Sequence, residues 1–221
     1  LIIGYIFGSI PIAYLYCKAH GVNILEYGSG NPGSTNVGRA LGKGHGRVVF
    51  VLDILKIVVP VVIICAIFFI SNSKLLYGSD ITTKSLIKIY GDYIAIYTGL
   101  GGILGHNFPI FLHFKGGKGI SCTMGAMFCF SILYSLILFL VYKITTKITQ
   151  YVSAGSITAL TILFISSIIL AFNNLYPFNY DNNIHYGIIL LPGIFVIWIM
   201  GVIRHRDNIM RLINHTESKI E

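Results

Sequence analysis

The chain has 221 residues, of which 55% are apolar and only 11% charged, where a soluble domain carries roughly 25% charged residues. With a mean hydropathy of +0.77, it is excluded from the ordinary soluble classes. The formal charge of +8, from 16 Lys and Arg against 8 Asp and Glu, sits in the polar loops and suits phospholipid headgroups and phosphorylated substrates, with no nucleic acid partner expected.

In chain order, apolar runs cover residues 1–16, 48–70, 93–104, 120–142, 152–172 and 187–203, several of them near the ~20 residues that cross a hydrocarbon core. The first run begins at Leu1 without the basic segment and small-residue cleavage site of a signal peptide. It is therefore read as a retained first span, with an initiator methionine expected ahead of it. Polar, glycine-rich blocks occupy 18–47, 105–119, 143–150 and 204–221. If these blocks serve one site they share a membrane side, and six crossings cannot arrange that. A break near Phe130 and Ser131 in the fourth run restores the parity.

The expected fold is thus all-α: a single integral membrane domain over 1–221 with seven transmembrane helices, the fourth and fifth short and forming a tight hairpin. The polar blocks carry most of the basic residues, from Lys18 to Lys219, which places them on the cytoplasmic side with the N-terminus outside. Only the loop expected at 71–92 resists, with Lys74, Lys84 and Lys88 beside Asp80 and Asp92. Inside the spans Asp53 and Lys56 are the exceptions, read as an i, i+3 helix pair or a snorkelling lysine. Cys17, Cys65, Cys122 and Cys129 lie in or beside apolar runs without a CxxC pair, so they are expected to be buried and reduced, with no disulfide framework and no metal site.

The first block reads Gly28-Ser29-Gly30-Asn31-Pro32-Gly33-Ser34-Thr35-Asn36-Val37-Gly38-Arg39. Glycines interleaved with Ser, Thr and Asn let several backbone N–H groups converge on one anion. Arg39 can fork onto two phosphate oxygens, and a helix expected to begin near Gly46 would add its positive end. The second block runs Gly105-His106-Asn107-Phe108-Pro109-Ile110-Phe111-Leu112-His113-Phe114-Lys115-Gly116-Gly117-Lys118-Gly119. Lys118 stands between glycines at the start of the fourth helix; the P-loop pattern GxxxxGK[ST] is absent, so nucleoside triphosphate use is not supported. Phe108, Phe111 and Phe114 read as interfacial anchors or an acyl-chain wall. Further on, Ser153 and Ser156 share one helical face, as do His205 and Asn208 in the basic segment after the last run.

GSGNPGSTNVGRALGK, GHNFPIFLHFKGGKG and RHRDNIMRL, with GSIPIAYL near the start, resemble the signature segments of the bacterial acyl-phosphate:glycerol-3-phosphate acyltransferases, the PlsY family. Ser34 stands where that family often has Ala, and Ser121-Cys122 where Ala or Val is common. The resemblance implies a seven-helix inner-membrane enzyme with its site at the cytoplasmic face and no cofactor. It would move a fatty acyl group from acyl phosphate to the sn-1 hydroxyl of glycerol 3-phosphate, giving lysophosphatidic acid. By the match Ser29, Arg39, Lys118, His205 and Asn208 are catalytic, while Gly30, Asn31, Gly33, Ser34, Thr35, Asn36, Gly116, Gly117 and Ser156 bind substrate. Membrane lipids are expected partners, and functional coupling to the enzyme that produces acyl phosphate is a further expectation. The rival from another class is a transporter of a phosphorylated solute, whose anion cradle would lie on broken helices; no internal repeat supports it, and charge inside the spans is scarce.

Overall fold

The computed structural model describes residues 1–72, 81–179 and 184–220. Among the described residues there is no strand; the helices are α1 (Ile2–Gly8), α2 (Ile12–Ala19), α3 (Ser34–Leu41), α4 (Lys43–Ser71), α5 (Ile81–Asn107), α6 (Ile120–Phe130), α7 (Ile132–Thr149), α8 (Val152–Phe172), α9 (Ile184–Arg204) and α10 (Arg206–Ile213). Five stretches among the described residues are long and apolar enough to cross a bilayer, Ile2–Ala19, Lys43–Ser71, Ile132–Thr149, Val152–Phe172 and Tyr186–Arg204. Large aliphatic side chains such as Ile2, Ile70, Ile132 and Leu140 remain exposed on them, as a lipid-facing surface requires and a water-facing one avoids.

The chain divides into two compact units, Leu1–Ile64 with Tyr97–Ala126, and Cys65–Ile96 with Met127–Glu221. In the first, α1 meets α5 through glycine: a Cβ added at Gly4, Gly8, Gly101 or Gly105 would run into the facing helix's backbone. Small residues let helix axes approach where no hydrophobic drive exists between them and lipid. Beside this seam, α2 and α3 enclose a small core of Ala13, Cys17, Ile24, Val37 and Val49. In the second unit α8 packs against α7 and α9. The Tyr134 hydroxyl lies within hydrogen-bond distance of Ser166 Oγ (2.6 Å) and Ser167 Oγ (3.1 Å) and donates to Leu163 O at 3.1 Å. Trp198 stacks on Phe164 with centroids 4.7 Å apart.

Several boundaries differ from those expected. The first apolar run is broken between Gly8 and Ile12, because Pro11 has no N–H to continue the ladder. At the break the Ile10 carbonyl accepts from Ile12 N at 3.0 Å and from Lys56 Nζ at 3.1 Å. Lys74 and Asp80 of the resisting loop lie outside the described residues, but from Ile81 onward the segment is helical, so the third run extends well beyond 93–104. Hydropathy ends it early at Lys88 and Asp92, whereas the fold neutralises that pair. Lys88 Nζ lies 2.6 Å from Asp92 Oδ2, 3.2 Å from Pro177 O and 3.3 Å from Tyr186 Oη, and the Tyr186 hydroxyl also donates to Asp92.

The fourth run does break at Ser131, whose extended backbone (φ −159°, ψ 111°) lets its Oγ cap α7 by accepting from Tyr134 N at 3.3 Å. α6 is short, at 11 residues. α7 is not: it runs 18 residues to Thr149, through the block expected as a polar loop. Lys143 can stay in that helix because its ammonium lies 5.4 Å from the Phe139 ring on a flexible stem. Of the cysteines, all free, Cys17 and Cys122 are buried, while Cys65 and Cys129 are half-buried rather than enclosed.

Candidate active site

The glycine-rich block is half turn and half helix. Gly28 (φ 56°) and Gly30 (φ 64°) take left-handed conformations that close the turn, with Gly30 N donating to Tyr27 O at 3.0 Å. From Gly33 the chain enters α3, so the helix start nearest the turn belongs to α3; α4 begins at Lys43 rather than near Gly46. The two parts are stapled by Asn36, which is 2% exposed. Its Oδ1 accepts from Ser29 N at 3.2 Å, and its Nδ2 donates to Tyr27 O at 2.8 Å and Ile24 O at 3.4 Å. Expected as part of a substrate cradle, Asn36 thus has both ends of its amide engaged in shaping the turn. Ser29, Thr35 and Arg39 are exposed, and Gly30, Asn31, Gly33 and Ser34 are half-buried.

Asn36→Ala is expected to lower stability by about 1–3 kcal/mol, because it strands buried backbone groups, and to cut activity in proportion as the turn loosens. Lost activity at an unchanged melting temperature would instead assign Asn36 to direct substrate contact.

The second block folds back on the end of α5. After Asn107 the chain makes a short 3₁₀ turn over Ile110–Leu112, then places His113 (φ 49°) and Phe114 (φ 61°) in the left-handed region. That reversal brings Gly117 N to His106 O at 3.0 Å. Lys118, half-buried, precedes α6 by two residues, next to the positive end of the helix. Phe108, Phe111 and Phe114 are exposed, as interfacial anchors would be. A small cleft is lined by Pro32 from the first block, Lys115, Gly116 and Gly117 from the second, and Asp53, Lys56 and His106 between them. The two blocks, some eighty residues apart in sequence, therefore border one space inside the first unit.

The second unit holds the remaining expected residues. His205 is 2% exposed and stands at the junction of α9 and α10. Its Nδ1 lies 2.7 Å from Gly201 O; a carbonyl only accepts, so Nδ1 carries the proton and Nε2 the lone pair in the neutral ring. Asn208, one turn on, donates from Nδ2 to Glu217 Oε1 at 2.7 Å. The same oxygen takes the Ser153 hydroxyl at 2.9 Å, and Oε2 takes Arg211 Nε at 2.7 Å. Burial pushes the Glu217 carboxyl up, but the hydrogen bonds from Arg211, Asn208 and Ser153, together with the Arg211 charge, hold it below the usual glutamate range.

The Ser156 hydroxyl turns to Val152 O at 2.9 Å, so of the two serines Ser153 is the one tied to the C-terminal segment. Glu217 escaped the sequence reading because it lies in a short polar tail; its only signal was an acidic residue among basic ones.

The family model for glycerol-3-phosphate acyltransferase matches residues 1–215. A glycerol-3-phosphate acyltransferase of Thermotoga maritima is 34% identical over 220 residues, covering 99% of this chain and 94% of that protein. Among solved structures, the chain resembles crystal structures of PlsY, an integral membrane glycerol 3-phosphate acyltransferase. The glycerol 3-phosphate form matches with a TM-score of 0.76 at 32% identity, over 100% of this chain and 93% of that one. The lysophosphatidic acid form matches with a TM-score of 0.73 at the same identity and coverage. With a family model matching nearly end to end and an integral membrane fold shared along the whole chain, the protein belongs to the glycerol-3-phosphate acyltransferase family.

Proposed function

We propose that this protein transfers a fatty acyl group from acyl phosphate to the sn-1 hydroxyl of glycerol 3-phosphate, releasing lysophosphatidic acid and inorganic phosphate. The observation that carries the reading is the cleft bordered by both glycine-rich blocks, in a chain whose relatives are glycerol-3-phosphate acyltransferases. Acyl phosphate is a mixed anhydride and already activated, so neither a covalent enzyme intermediate nor a metal is required. The difficulty is bringing two phosphate dianions together with the hydroxyl about 3–3.5 Å from the acyl carbonyl.

In this reading Arg39, Lys118 and the amides of Asn31, Ser34, Thr35 and Gly116 oppose that charge and steady the departing phosphate, while Gly30, Gly33 and Gly117, whose amides donate to Tyr27 O, Asn31 O and His106 O, shape the loops that present them. Ser29, Ser156, His205 and Asn208 hold glycerol 3-phosphate. The hydroxyl oxygen bonds to the acyl carbon, the carbon–oxygen bond to phosphate breaks, and the proton passes to the leaving phosphate. His205 Nε2 is the alternative acceptor.

We further propose a single domain of seven crossings, with α1 and α2 forming one interrupted span and α6 and α7 the expected hairpin. The helical stretches at Ile2–Ala19 and in α4 to α9 support that number. The basic polar blocks would face the cytoplasm of a bacterial inner membrane, within reach of an acyl-phosphate-producing enzyme.

Incubating purified protein with palmitoyl phosphate and glycerol 3-phosphate is expected to release lysophosphatidic acid and phosphate in equal amounts. An equal rate with palmitoyl thioesters overturns the donor. Glycerol 3-phosphate uptake into vesicles without any acylation overturns the reaction in favour of transport.

A further inference from the structure

Three ionisable side chains lie along the cleft of the first unit and have no part in the chemistry proposed above. We propose that Asp53, Lys56 and His106 are positioning residues: a buried network that fixes Gly116 and Gly117 and, through them, the ammonium of Lys118. The proposal rests on the acyl-transfer reading.

Lys56 is the hub. Its Nζ lies 3.0 Å from Asp53 Oδ1, 2.9 Å from His106 Nδ1 and 3.1 Å from Ile10 O. The ammonium therefore hydrogen-bonds His106 and Ile10 and holds the Asp53 carboxylate as an ion pair, and it has no lone pair with which to accept. His106 Nδ1 then accepts, and the ring proton sits on Nε2. None of the three residues is more than 8% exposed, and such an ionic cluster inside an apolar helix bundle is rarely present without a task.

That task is legible on the other side of the ring. His106 holds Gly117 N through its carbonyl at 3.0 Å. A Cβ on Gly116 would collide with the His106 carbonyl oxygen, and one on Gly117 with the imidazole at Nε2. The two glycines rest on His106, and the next residue is Lys118. Any rotation of the ring therefore moves the backbone that carries the expected catalytic cation. Because Lys56 also grips Ile10 at the break between α1 and α2, the same ammonium ties three segments to one point.

Two other tasks fit less well. Asp53, His106 and Cys122 bring metal-ligand atoms within 4.8 Å of one another, but the Lys56 ammonium already lies against the first two, and a cation there would meet like charge. Direct binding of a substrate phosphate by Lys56 is opposed by its 6% exposure and by the Asp53 carboxylate already 3.0 Å from its Nζ.

The test separates position from stability. Removing one partner of a buried ion pair is strongly destabilising, whereas replacing both with apolar residues of similar volume is often neutral. Asp53→Leu combined with Lys56→Met is therefore expected to keep the melting temperature within a few degrees and yet lose about 100-fold in kcat, as a misplaced catalytic group does. Amide exchange across 116–119 should quicken about tenfold in parallel. His106→Asn, whose Oδ1 can replace Nδ1 as acceptor but which no longer reaches Gly117, is expected to lose about tenfold in kcat, while His106→Leu falls with the double variant.

A folded double variant with parental kcat and parental exchange overturns the network. If the double variant does not fold, equal activity of His106→Asn and His106→Leu overturns it as well. Turnover by the unsubstituted protein tests the reaction itself; only the ratios to it test the network.

Discussion

Replacing Lys118 with alanine is expected to lower kcat/KM for glycerol 3-phosphate acylation by about three orders of magnitude, with helical content and melting temperature unchanged. Lys118 is half-buried, so its removal leaves no core cavity to unfold the protein. What is lost is the cation beside the first turn of α6. Glycerol 3-phosphate and acyl phosphate, each carrying a charge of about −1.5 to −2 at neutral pH, must then approach with less opposing charge. Arg39→Ala is expected to act in the same direction. Arg39 is exposed and its carbonyl, which accepts the Tyr27 hydroxyl at 3.3 Å, is retained in the variant, so folding should again be spared. Steady-state kinetics with both substrates varied checks the pair: full activity in either variant would remove the charge-neutralising role from that residue. Lysine at position 39 should recover only part of the rate, because a point charge cannot fork onto two oxygens.

Glu217→Gln should lower the melting temperature by roughly 5 °C, since a loss of 1–3 kcal/mol moves a chain of this size by about 2–4 °C per kcal/mol. The carboxylate gathers Ser153 from α8, Asn208 and Arg211 from α10; an amide accepts through one oxygen only and lacks the charge that holds Arg211. Asn208 would lose its fixed orientation, so activity should fall together with stability.

The pH dependence follows from the depressed carboxyl. With the folded value lowered relative to the unfolded one, the stabilisation is fully present above the ordinary glutamate range and is lost as pH falls through the folded value. Melting curves of the parent should drop below about pH 4.5 more steeply than those of Glu217→Gln. Superimposable profiles would show that the carboxylate contributes nothing.

Much of this was legible before any coordinates, for a physical reason. Glycine at 28 and 30, and the Gly116-Gly117-Lys118 run, are choices a chain makes where backbone must turn sharply or lie against another group, and both proved to do so. Ser131 was found by a parity argument, since two polar blocks could not otherwise share a side.

The misreadings came from treating polarity as loop. Lys88 with Asp92, and Lys143 with Lys147, sit inside α5 and α7. Their charge is met by an ion pair or carried outward on a long stem, and neither device shows in a hydropathy profile. Asn36 was assigned to substrate because nothing in a sequence distinguishes an amide that binds a ligand from one that binds its own loop. Of the two readings of Asp53 and Lys56, the pair is the one the fold adopts, but His106, fifty residues on, could join them only once the chain was folded.

The glycine seam between α1 and α5 has a mechanical consequence. Where two helices touch main chain to main chain, no rotamer is available to swing aside, and sliding one along the other drives carbonyl oxygens into α-carbons. A methylene chain has no route between them. Widening either helix at Gly8 or Gly105 would wedge the pair apart along its whole length rather than open a local gap, which makes this edge of the first unit a fixed wall.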